Sequence, residues 1–346
     1  MQIKGSNNHL KNDSRVKLAI DWISELNISN TIDLTSLQPA SEDASFRRYF
    51  RLNYKNNHKS LILMDSPPLK ESTENFVKIS KLFSYAAIRV PKILEKNHNL
   101  GFLLIEDFGC QTLLKKYASN PKFIVELQKN ALLPIINLQM WGDKNPEKLK
   151  NLPIFTEKEM CDEVDLFFNW YLKEHTKIKL TNSLETELSN LTNDICRKIS
   201  NQPKVIVHKD FHSRNLMFLE SNKEIGVLDF QDAILGPVSY DLISLVRDAY
   251  YSLDHISEVK ITRWFWLQAD KMNLNVPNDF DKFWRDCDLT SLQRNLKVLG
   301  IFCRLAYRDN KKKYLVDLHR VKTKCIQILS RHREYEYLMN FLKNKC

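Results

Sequence analysis

The chain has 346 residues, of which 43% are hydrophobic and 27% are charged, as in ordinary globular proteins. No stretch approaches the roughly 18 consecutive apolar residues of a membrane-spanning helix, and the first residues lack the apolar core of a signal peptide. We therefore expect neither a membrane protein nor a secreted one, and the length predicts two lobes rather than one small core.

The net charge of +10 is compatible with nucleic-acid binding, but the positive residues are dispersed and the one dense run, Lys311 to Lys313, is short. The same charge suits a protein that handles anionic small molecules. The seven cysteines are odd in number and include no C-x-x-C pair, which argues against disulfides and zinc. We expect a cytoplasmic protein with a small-molecule substrate and no nucleic-acid, membrane or obligatory protein partner.

The N-terminal part of the chain predicts a small antiparallel sheet. Residues 1–13 are predicted to be a disordered tail, and a helical stripe of apolar residues follows in residues 14–28. Residues 46–52 alternate with period 2, "YKNNHK" predicts a turn, and "SLILMD" predicts the next strand. A short strand before "SEDAS" makes three antiparallel strands. A helix in "ESTENFVKISKLFSYAAI" and two strands around a turn near Asn97 complete this lobe.

From Gln111 onward the pattern is mostly helical and is interrupted in residues 205–230. The aromatic residues of "CDEVDLFFNWYLKEH" recur at helical spacing, which predicts a buried helix face rather than a sugar-stacking surface. The lobe boundary is predicted near "EDFGCQTL", giving an N-terminal lobe over residues 14–108 and a C-terminal lobe over residues 109–346. The predicted class is α+β, with a small sheet lobe and a larger, mainly helical lobe.

Two short apolar segments, residues 205–207 and 226–228, bracket an unusually polar loop. The loop has the spacing H-x-D-x-x-x-x-N, which resembles the catalytic loop of kinases. The second apolar segment ends in a carboxylate at the position of the metal-binding aspartate of those enzymes, here within "DFQ". The residues concerned are His208, Asp210, His212, Asn215 and Asp229.

Transfer of a phosphoryl group from ATP explains why these residue types stand together. The acceptor hydroxyl needs a carboxylate that takes its proton, and Asp210 is the candidate base. Mg²⁺ is a hard cation that prefers oxygen ligands, which Asn215 and Asp229 would supply. His208 is expected to orient the loop by hydrogen bonding, and His212 is expected to reach the transferred phosphate.

Two other interpretations of this loop stay open. The first is a histidine-rich surface turn between strands, which five residues at matching spacing make less attractive. The second is a metal hydrolase that uses the histidines and carboxylates of the loop, although no further H-x-x-E or H-x-x-H cluster accompanies them.

The segments "VHKDFHSRN" and "GVLDFQDAILGPVSYDLISL" resemble the aminoglycoside phosphotransferase family, a small-molecule branch of the protein-kinase-like fold. Further blocks, "SEDASFRRYFRL", "GFLLIEDFG" and "QRNLKVLGIFCRLAYRDNKKKYL", are similar to the anomeric sugar kinases within it. Those enzymes phosphorylate N-acetylmuramate and N-acetylglucosamine at C1 in peptidoglycan recycling. The resemblance extends from about residue 14 to residue 320.

The resemblance implies a protein-kinase-like bilobal fold and an ATP- and Mg²⁺-dependent kinase with an amino sugar as substrate. It places Asp210 as the base and Asn215 and Asp229 on the metal. It also implies that Glu106 and Phe108 offer backbone groups to adenine and that the Asp241 carboxylate braces the catalytic loop.

The chain departs from the usual kinase pattern in the segment that covers the phosphates. This segment is "SEDASF", which has no glycine, so Ser41 and Ser45 are the expected phosphate donors. Met64 stands where kinases usually place a phosphate-holding lysine. A guanidinium suits phosphate well, and strand alternation sends Arg47 and its neighbour Arg48 to opposite faces.

Of these two arginines, Arg47 is predicted to hold the phosphates, with Tyr49 directed toward adenine, and Arg48 is expected on a solvated face. Glu74 is the candidate partner of the cation, with a surface role as the alternative. For the acceptor sugar the candidates are Asp232, Arg247 and Arg304, because an arginine can bind the lactyl carboxylate of N-acetylmuramate through paired hydrogen bonds.

Two alternative functions stay open. One is another small-molecule kinase of the same fold that acts on an amino alcohol or an antibiotic. The other is a catalytically inactive, kinase-shaped binding protein, which the missing glycines and Met64 would suit.

Overall fold

The computed structural model describes residues 13–41 and 46–346 of the chain. The described residues form two compact units: Met1–Ser84 with Arg89–Gln111, and Tyr85–Ile88 with Thr112–Cys346. The predicted tail therefore lies outside the described residues except for Asp13. The predicted lobe boundary after residue 108 stays a prediction, and the division between the two units follows Gln111.

The first unit is built on one antiparallel sheet of five strands, in the order β1-β2-β3-β5-β4. The prediction of three opening strands, a helix and two further strands is confirmed. The elements are α1 (Ser14–Ser24), β1 (Ile32–Ser41), β2 (Arg48–Tyr54), β3 (Ser60–Asp65), α2 (Thr73–Tyr85), β4 (Ile93–Asn97) and β5 (Phe102–Glu106).

The core of this unit forms where α1 covers the sheet. Alternation along β2 puts Leu52 opposite Leu61 of β3, and both side chains are fully buried. They pack in one cluster with Trp22 and Ile23 of α1. The helix begins at Asp13, whose carboxylate accepts the first free backbone N–H groups, at 2.9 and 3.2 Å. This cap replaces partners that the first turn of a helix lacks.

The second unit is mainly helical. Its helices are α3 (Leu113–Ser119), α4 (Ile124–Lys144), α5 (Pro146–Leu149), α6 (Glu157–Leu166), a π-helix (Phe167–His175), α7 (Asn182–Ser200), α8 (Tyr240–Val246), α9 (His255–Lys271), α10 (Phe280–Tyr307), α11 (Leu318–Leu329) and α12 (Glu336–Lys345). Among the described residues, no helix combines the length and the apolar character needed to cross a membrane.

Two small antiparallel ribbons interrupt the helices of this unit. Strand β6 (Lys204–Val207) pairs with β9 (Ile234–Pro237), and β7 (Leu216–Leu219) pairs with β8 (Glu224–Val227). The predicted strands at residues 205–207 and 226–228 are thus confirmed within two residues. Their partners β7 and β9 were not predicted.

The predicted aromatic helix continues straight on from α6 but changes its hydrogen-bonding pattern. The backbone widens into the π-helix, and the side chains of Phe167 and Tyr171 stack at 5.5 Å in the interior. The prediction that these aromatics pack in the core is confirmed. Widened turns of this kind occur most often as short insertions near functional sites.

A glycine lets the long helix α10 approach this junction closely. A Cβ atom added at Gly300 would lie 2.3 Å from the carbonyl oxygen of Leu166 and 2.6 Å from the backbone nitrogen of Phe167. Both are main-chain atoms, which cannot rotate away as the end of a side chain can. The contact between α10 and the start of the π-helix therefore depends on the missing side chain.

We expect Gly300→Ala to destabilise the protein, although alanine is the better helix former by about 1 kcal/mol. The methyl group has no room, and overpacking of this kind typically costs about 1–3 kcal/mol. The measurement is the free energy of unfolding in urea. Gly236→Ala is the matched control, because its added Cβ would meet only side-chain atoms, the nearest at 3.3 Å. A Gly300→Ala protein as stable as the parent would contradict the steric argument.

Candidate active site

The predicted catalytic loop lies between β6 and β7 and is folded as a compact turn. The backbone N–H of His212 donates to the carbonyl of Asp210 at 3.0 Å, and the N–H of Asn215 donates to the carbonyl of His212 at 2.9 Å. Lys209 adopts a positive φ of 82°, a conformation that L-residues rarely take. Such a turn needs outside partners to hold it.

One partner is the carboxylate of Asp241, which is fully buried in α8. Its two oxygens accept the backbone N–H groups of His208 at 2.7 Å and Lys209 at 3.1 Å. Burial raises the pKa of Asp241 to about 7, while these two N–H donors favour the ionised form. The contacts agree with the bracing role that the resemblance implies for Asp241.

His208 links the loop to the end of β8. Its Nε2 lies 2.9 Å from the carbonyl oxygen of Leu228, and its Nδ1 accepts the backbone N–H of Asp210 at 3.2 Å. A carbonyl only accepts, so Nε2 carries the proton and the ring is the neutral tautomer. Burial lowers the pKa of His208 to about 4, which agrees with a neutral ring. The expected orienting role therefore has a physical basis.

The structure brings together the three residues predicted to carry the chemistry. The side-chain amide of Asn215 donates to the carbonyl of Asp210 at 3.0 Å and to the carboxylate of Asp229 at 3.2 Å. The N–H of Leu228 donates to the carbonyl of Asn215 at 2.9 Å, which fixes the second strand against the loop. Asp229 itself has a positive φ of 60°, a strained conformation of the kind that clusters at functional sites.

The charge on the Asp210 carboxylate is set by opposing effects. Burial raises the pKa of Asp210, but the electrostatic effects of Lys297, His212 and Arg294 act in the opposite direction and bring the pKa below its usual value. Asp210 is therefore ionised at neutral pH and able to accept a proton. Lys297 and Arg294 belong to α10, and neither was predicted as a site residue.

His212 is held in the same loop with its ring edge against Tyr250, at 5.2 Å between centroids. Its Nδ1 is buried and has no hydrogen-bond partner among the described residues. Burial lowers the pKa of His212, although Asp248 and Asp210 act in the opposite direction. The expected contact of this histidine with phosphate stays a prediction.

A second anchor of the loop, Asp248, was not found from the sequence. Its carboxylate accepts the backbone N–H of Ser213 at 2.9 Å and that of Tyr250 at 2.8 Å, and the residue is only 5% exposed. The one signal in the sequence is a carboxylate directly after the apolar helix α8, in "VRDAYY". Asp241 and Asp248 together hold both halves of the loop.

The predicted substrate residue Arg247 lies in a buried ion cluster. It is 5% exposed, pairs with Asp288 at 2.7 Å and Glu258 at 3.4 Å, and lies 4.7 Å over the ring of Trp284. These contacts occupy the guanidinium inside the protein, and we leave Arg247 out of the substrate site. A buried cation without such partners would be strongly destabilising.

The other two predicted substrate residues differ in exposure. Asp232 is exposed and accepts the side-chain amide of Gln231 at 3.2 Å, and the same amide donates to Asp229 at 2.8 Å. Arg304, on α10, is partly buried, and its Nε has no hydrogen-bond partner among the described residues. Their contact with a sugar stays a prediction.

In the first unit, Arg47 is the more buried of the two candidate arginines, at 7% exposure. Its guanidinium pairs with Glu71 at 2.6 Å. The candidate partner Glu74 is exposed, which agrees with the surface role that the sequence left open. Glu71 lies just before α2, where helical periodicity gives no signal.

Arg48 has a structural partner instead of a solvated face. Its guanidinium pairs at 2.6 Å with Asp65, which ends β3 and is 1% exposed, and also with the capping residue Asp13. Arg15 donates to the same Asp65 carboxylate from its Nε at 3.0 Å. Two arginines neutralising one buried carboxylate tie α1, β2 and β3 together.

The remaining predicted nucleotide residues are only partly described. Ser45 lies outside the described residues, and Ser41 is placed by its backbone, at the end of β1 opposite Tyr49. The N–H of Glu106 donates to the carbonyl of Lys92 at 2.9 Å, and its carboxylate binds Arg89. Arg89 also lies 4.7 Å over the ring of Phe108.

The segment after β5 is fixed by Asp107. Its carboxylate accepts from Arg51 at 2.5 and 2.9 Å and from the N–H of Gly109 at 2.8 Å. Burial raises the pKa of Asp107, but the hydrogen bonds from Arg51 and Ser60 outweigh it and bring the pKa below its usual value. This backbone, which includes Phe108, is therefore preorganised.

Comparison with known proteins gives consistent relatives. The sequence model of the phosphotransferase enzyme family matches residues 36–268. A protein of Pseudomonas aeruginosa named N-acetylmuramate/N-acetylglucosamine kinase is 38% identical over 285 residues, which are 82% of this chain and 81% of that protein. A protein of the same name from Pseudomonas putida is 34% identical over 335 residues, 94% of each chain.

A solved structure of aminoglycoside phosphotransferase APH(2'')-Ib, bound to ADP, is similar with a TM-score of 0.57 and 11% identity. The similarity covers 89% of this chain and 96% of that one. At this identity the comparison speaks for the fold alone. It confirms the predicted α+β class and the protein-kinase-like fold.

The neutral state of His208 predicts acid lability. The folded pKa of about 4 lies below the ordinary value of 6.5, so the unfolded chain takes up this proton first. The contribution of His208 is present above about pH 6.5 and is lost as the pH falls toward 4, at about 1.4 kcal/mol per pH unit. The measurement is the free energy of unfolding in urea across this range.

The control separates this group from the carboxylates that also titrate. His208→Asn is expected to show a shallower loss of stability between pH 6.5 and 4 than the parent, whereas replacing the exposed His319 by Asn leaves the slope as it was. Equal slopes in the parent and His208→Asn would show that the buried histidine is not the titrating group.

Proposed function

The chain belongs to the phosphotransferase enzyme family, and from this premise we propose that it transfers a phosphoryl group from ATP to the anomeric C1 hydroxyl of N-acetylmuramate and N-acetylglucosamine. Relatives at 34% and 38% identity bear the name of that kinase activity. Both relatives align over four fifths or more of the chain, so the proposal does not depend on one isolated motif.

One observation carries the proposal. The side-chain amide of Asn215 donates to the backbone carbonyl of Asp210 and to the carboxylate of Asp229, so the proposed base and the two proposed metal ligands belong to one hydrogen-bonded group. Phosphoryl transfer asks little covalent chemistry of the protein, and its rate comes mostly from positioning and from charge neutralisation. A rigid loop that carries these groups supplies the positioning.

Asp210 is the proposed base. Its lowered pKa keeps it ionised at neutral pH, so it can orient the sugar hydroxyl and accept its proton as the bond to phosphorus forms. His208 holds the backbone of Asp210 through Nδ1 and therefore acts as a positioning residue. His212 is proposed to contact the transferred phosphate, for which its orphaned Nδ1 is available.

Asn215 and Asp229 are proposed to hold Mg²⁺. An amide oxygen and a carboxylate fit a hard cation that keeps several waters and usually takes one or two protein carboxylates together with substrate phosphates. The bound ion supplies neutralisation of the phosphate charge. Gln231 donates to one carboxylate oxygen of Asp229 and so fixes the orientation of this ligand.

Arg47 is proposed to hold the phosphates of ATP in place of the missing lysine. Kinases pair their phosphate-binding lysine with a glutamate, and the Arg47–Glu71 ion pair of 2.6 Å offers the same combination of charges. The other proposed contacts to the nucleotide are Ser41, Ser45, Tyr49 and the backbone groups of Glu106 and Phe108.

We place this reaction in the cytoplasm, in the recycling of cell-wall amino sugars. Its substrates are free sugars with an unsubstituted anomeric hydroxyl, which must come from hydrolysis of glycosidic bonds. Its product, a sugar 1-phosphate, has the chemistry that a nucleotidyltransferase consumes.

Asp210→Asn is expected to lower kcat by about two to four orders of magnitude, because the amide cannot take the proton. Nucleotide affinity should survive, since Asp210 is not a proposed ligand of ATP. Steady-state turnover and titration with a fluorescent ATP analogue measure the two quantities. The exposed Asp270→Asn is the control for the same chemical change on the surface. Turnover retained in Asp210→Asn would remove the assignment of the base.

The position of phosphorylation tests the proposed reaction directly. After incubation with ATP, Mg²⁺ and either sugar, we expect a phosphorus NMR signal coupled to the anomeric proton of the product. A panel with choline, ethanolamine and an aminoglycoside serves as the comparison. Phosphate on another hydroxyl, or turnover only with a cationic acceptor, would contradict the proposal.

A further inference from the structure

A group of charged side chains lies next to the catalytic loop within the second unit. We call it the acceptor cluster and define it as Glu163, Lys209, Arg294 and Lys297. Glu163 of α6 accepts from Lys297 at 2.7 Å and lies 3.6 Å from the ammonium group of Lys209. Gln293 donates to its second oxygen at 3.2 Å. Both oxygens of this carboxylate therefore accept a hydrogen bond.

Arg294 has no such neutralising partner. Its guanidinium carbon lies 4.9 Å above the ring of Tyr240, and its Nε is buried without a hydrogen-bond partner. Over residues 13–41 and 46–346, no carboxylate forms an ion pair with it. The hydroxyl of Tyr240 is likewise buried and without a hydrogen-bond partner in the described chain. The aromatic face restrains the arginine, while no carboxylate of the described residues pairs with it.

The location of Arg294 follows from its contact with Tyr240. Tyr240 directly precedes Asp241, whose carboxylate accepts the backbone N–H groups of His208 and Lys209 in the loop that carries the proposed base. Within the acceptor cluster, Glu163 is the carboxylate partner of Lys297 and the neighbour of Lys209. Arg294 forms no ion pair with any carboxylate of the described residues, so its guanidinium can bind an anionic group of the acceptor.

We propose that Arg294 binds the carboxylate of N-acetylmuramate and so determines the preference for this sugar over N-acetylglucosamine. The inference rests on the proposed function. The two sugars differ by the lactyl ether, whose carboxylate is the only anionic group on either of them. A guanidinium binds a carboxylate through two parallel hydrogen bonds, and the ring of Tyr240 already restrains this one.

Other cations of this region suit the role less well. Lys297 is engaged by Glu163, and Arg247 is enclosed with Asp288 and Glu258. Arg304 also has an orphaned Nε, but it follows Arg294 by about ten residues, or about 15 Å along the axis of α10. Unlike Lys297 and Arg247, Arg294 has no ion-pair partner among the described residues, and its contact with Tyr240 holds it next to the residue that braces the catalytic loop.

The test compares both sugars in the parent, Arg294→Gln and Arg294→Lys by steady-state kinetics with saturating ATP. We expect Arg294→Gln to lower kcat/KM for N-acetylmuramate about 10- to 100-fold more than for N-acetylglucosamine, chiefly through KM. Arg294→Lys keeps the positive charge but cannot form the two parallel hydrogen bonds of a guanidinium. We therefore expect its ratio of kcat/KM for the two sugars to lie between those of the parent and Arg294→Gln. Arg285→Gln removes an arginine from the first turns of the same helix and should leave the ratio unchanged.

A modified substrate gives an independent readout. The methyl ester of N-acetylmuramate removes the negative charge and leaves the lactyl group in place. Esterification should raise KM for the parent at least tenfold and have little effect on Arg294→Gln, because the partner of the carboxylate is already absent. Thermal unfolding of each variant verifies that the proteins compared are folded.

The outcomes separate this inference from the proposed function. If the parent phosphorylates neither sugar, the proposed function fails and the inference fails with it. If the parent is active and Arg294→Gln lowers kcat equally for both sugars, the arginine serves the transferred phosphate or the fold, and only the inference is overturned. A ratio of specificities unchanged from the parent overturns it as well.

Discussion

The arrangement of the site depends on a buried carboxylate that binds the backbone of the catalytic loop. Asp241 accepts two successive N–H groups at the start of the loop, where Lys209 takes a left-handed conformation. Burial without a paired cation opposes its charge, and the two hydrogen bonds favour it. His208 in turn accepts the backbone N–H of Asp210 through its Nδ1 and donates from its Nε2 to the carbonyl of Leu228, at the end of β8.

The loop was predictable from the sequence because its chemistry requires a fixed order and spacing. Asp210, Asn215 and Asp229 are gathered as expected, and the sheet of the first unit follows from alternation along β2 and β3. Loop residues whose identity is dictated by the reaction leave a signal that does not depend on tertiary contacts.

What escaped prediction depends on contacts between residues distant in sequence. Asp248 braces the loop and Glu71 pairs with Arg47, but neither belongs to a periodic pattern. Arg247 was expected at the sugar because arginine suits a carboxylate, yet its partner Asp288 lies about forty residues further along the chain. Charge type alone does not say whether a residue faces a ligand or an internal counterion.

The close approach at Gly300 has a consequence for how the acceptor site can change in evolution. The same uninterrupted helix carries Gly300, which seats against main-chain atoms of Leu166, and Arg294, less than two turns earlier. A bulkier residue in place of Gly300 would displace helix α10 as a whole, and Arg294 would move with it. If Arg294 has the proposed role, substitutions that never touch a ligand can change the selectivity between related sugars, and lineages that alter this crossing are expected to differ in substrate preference.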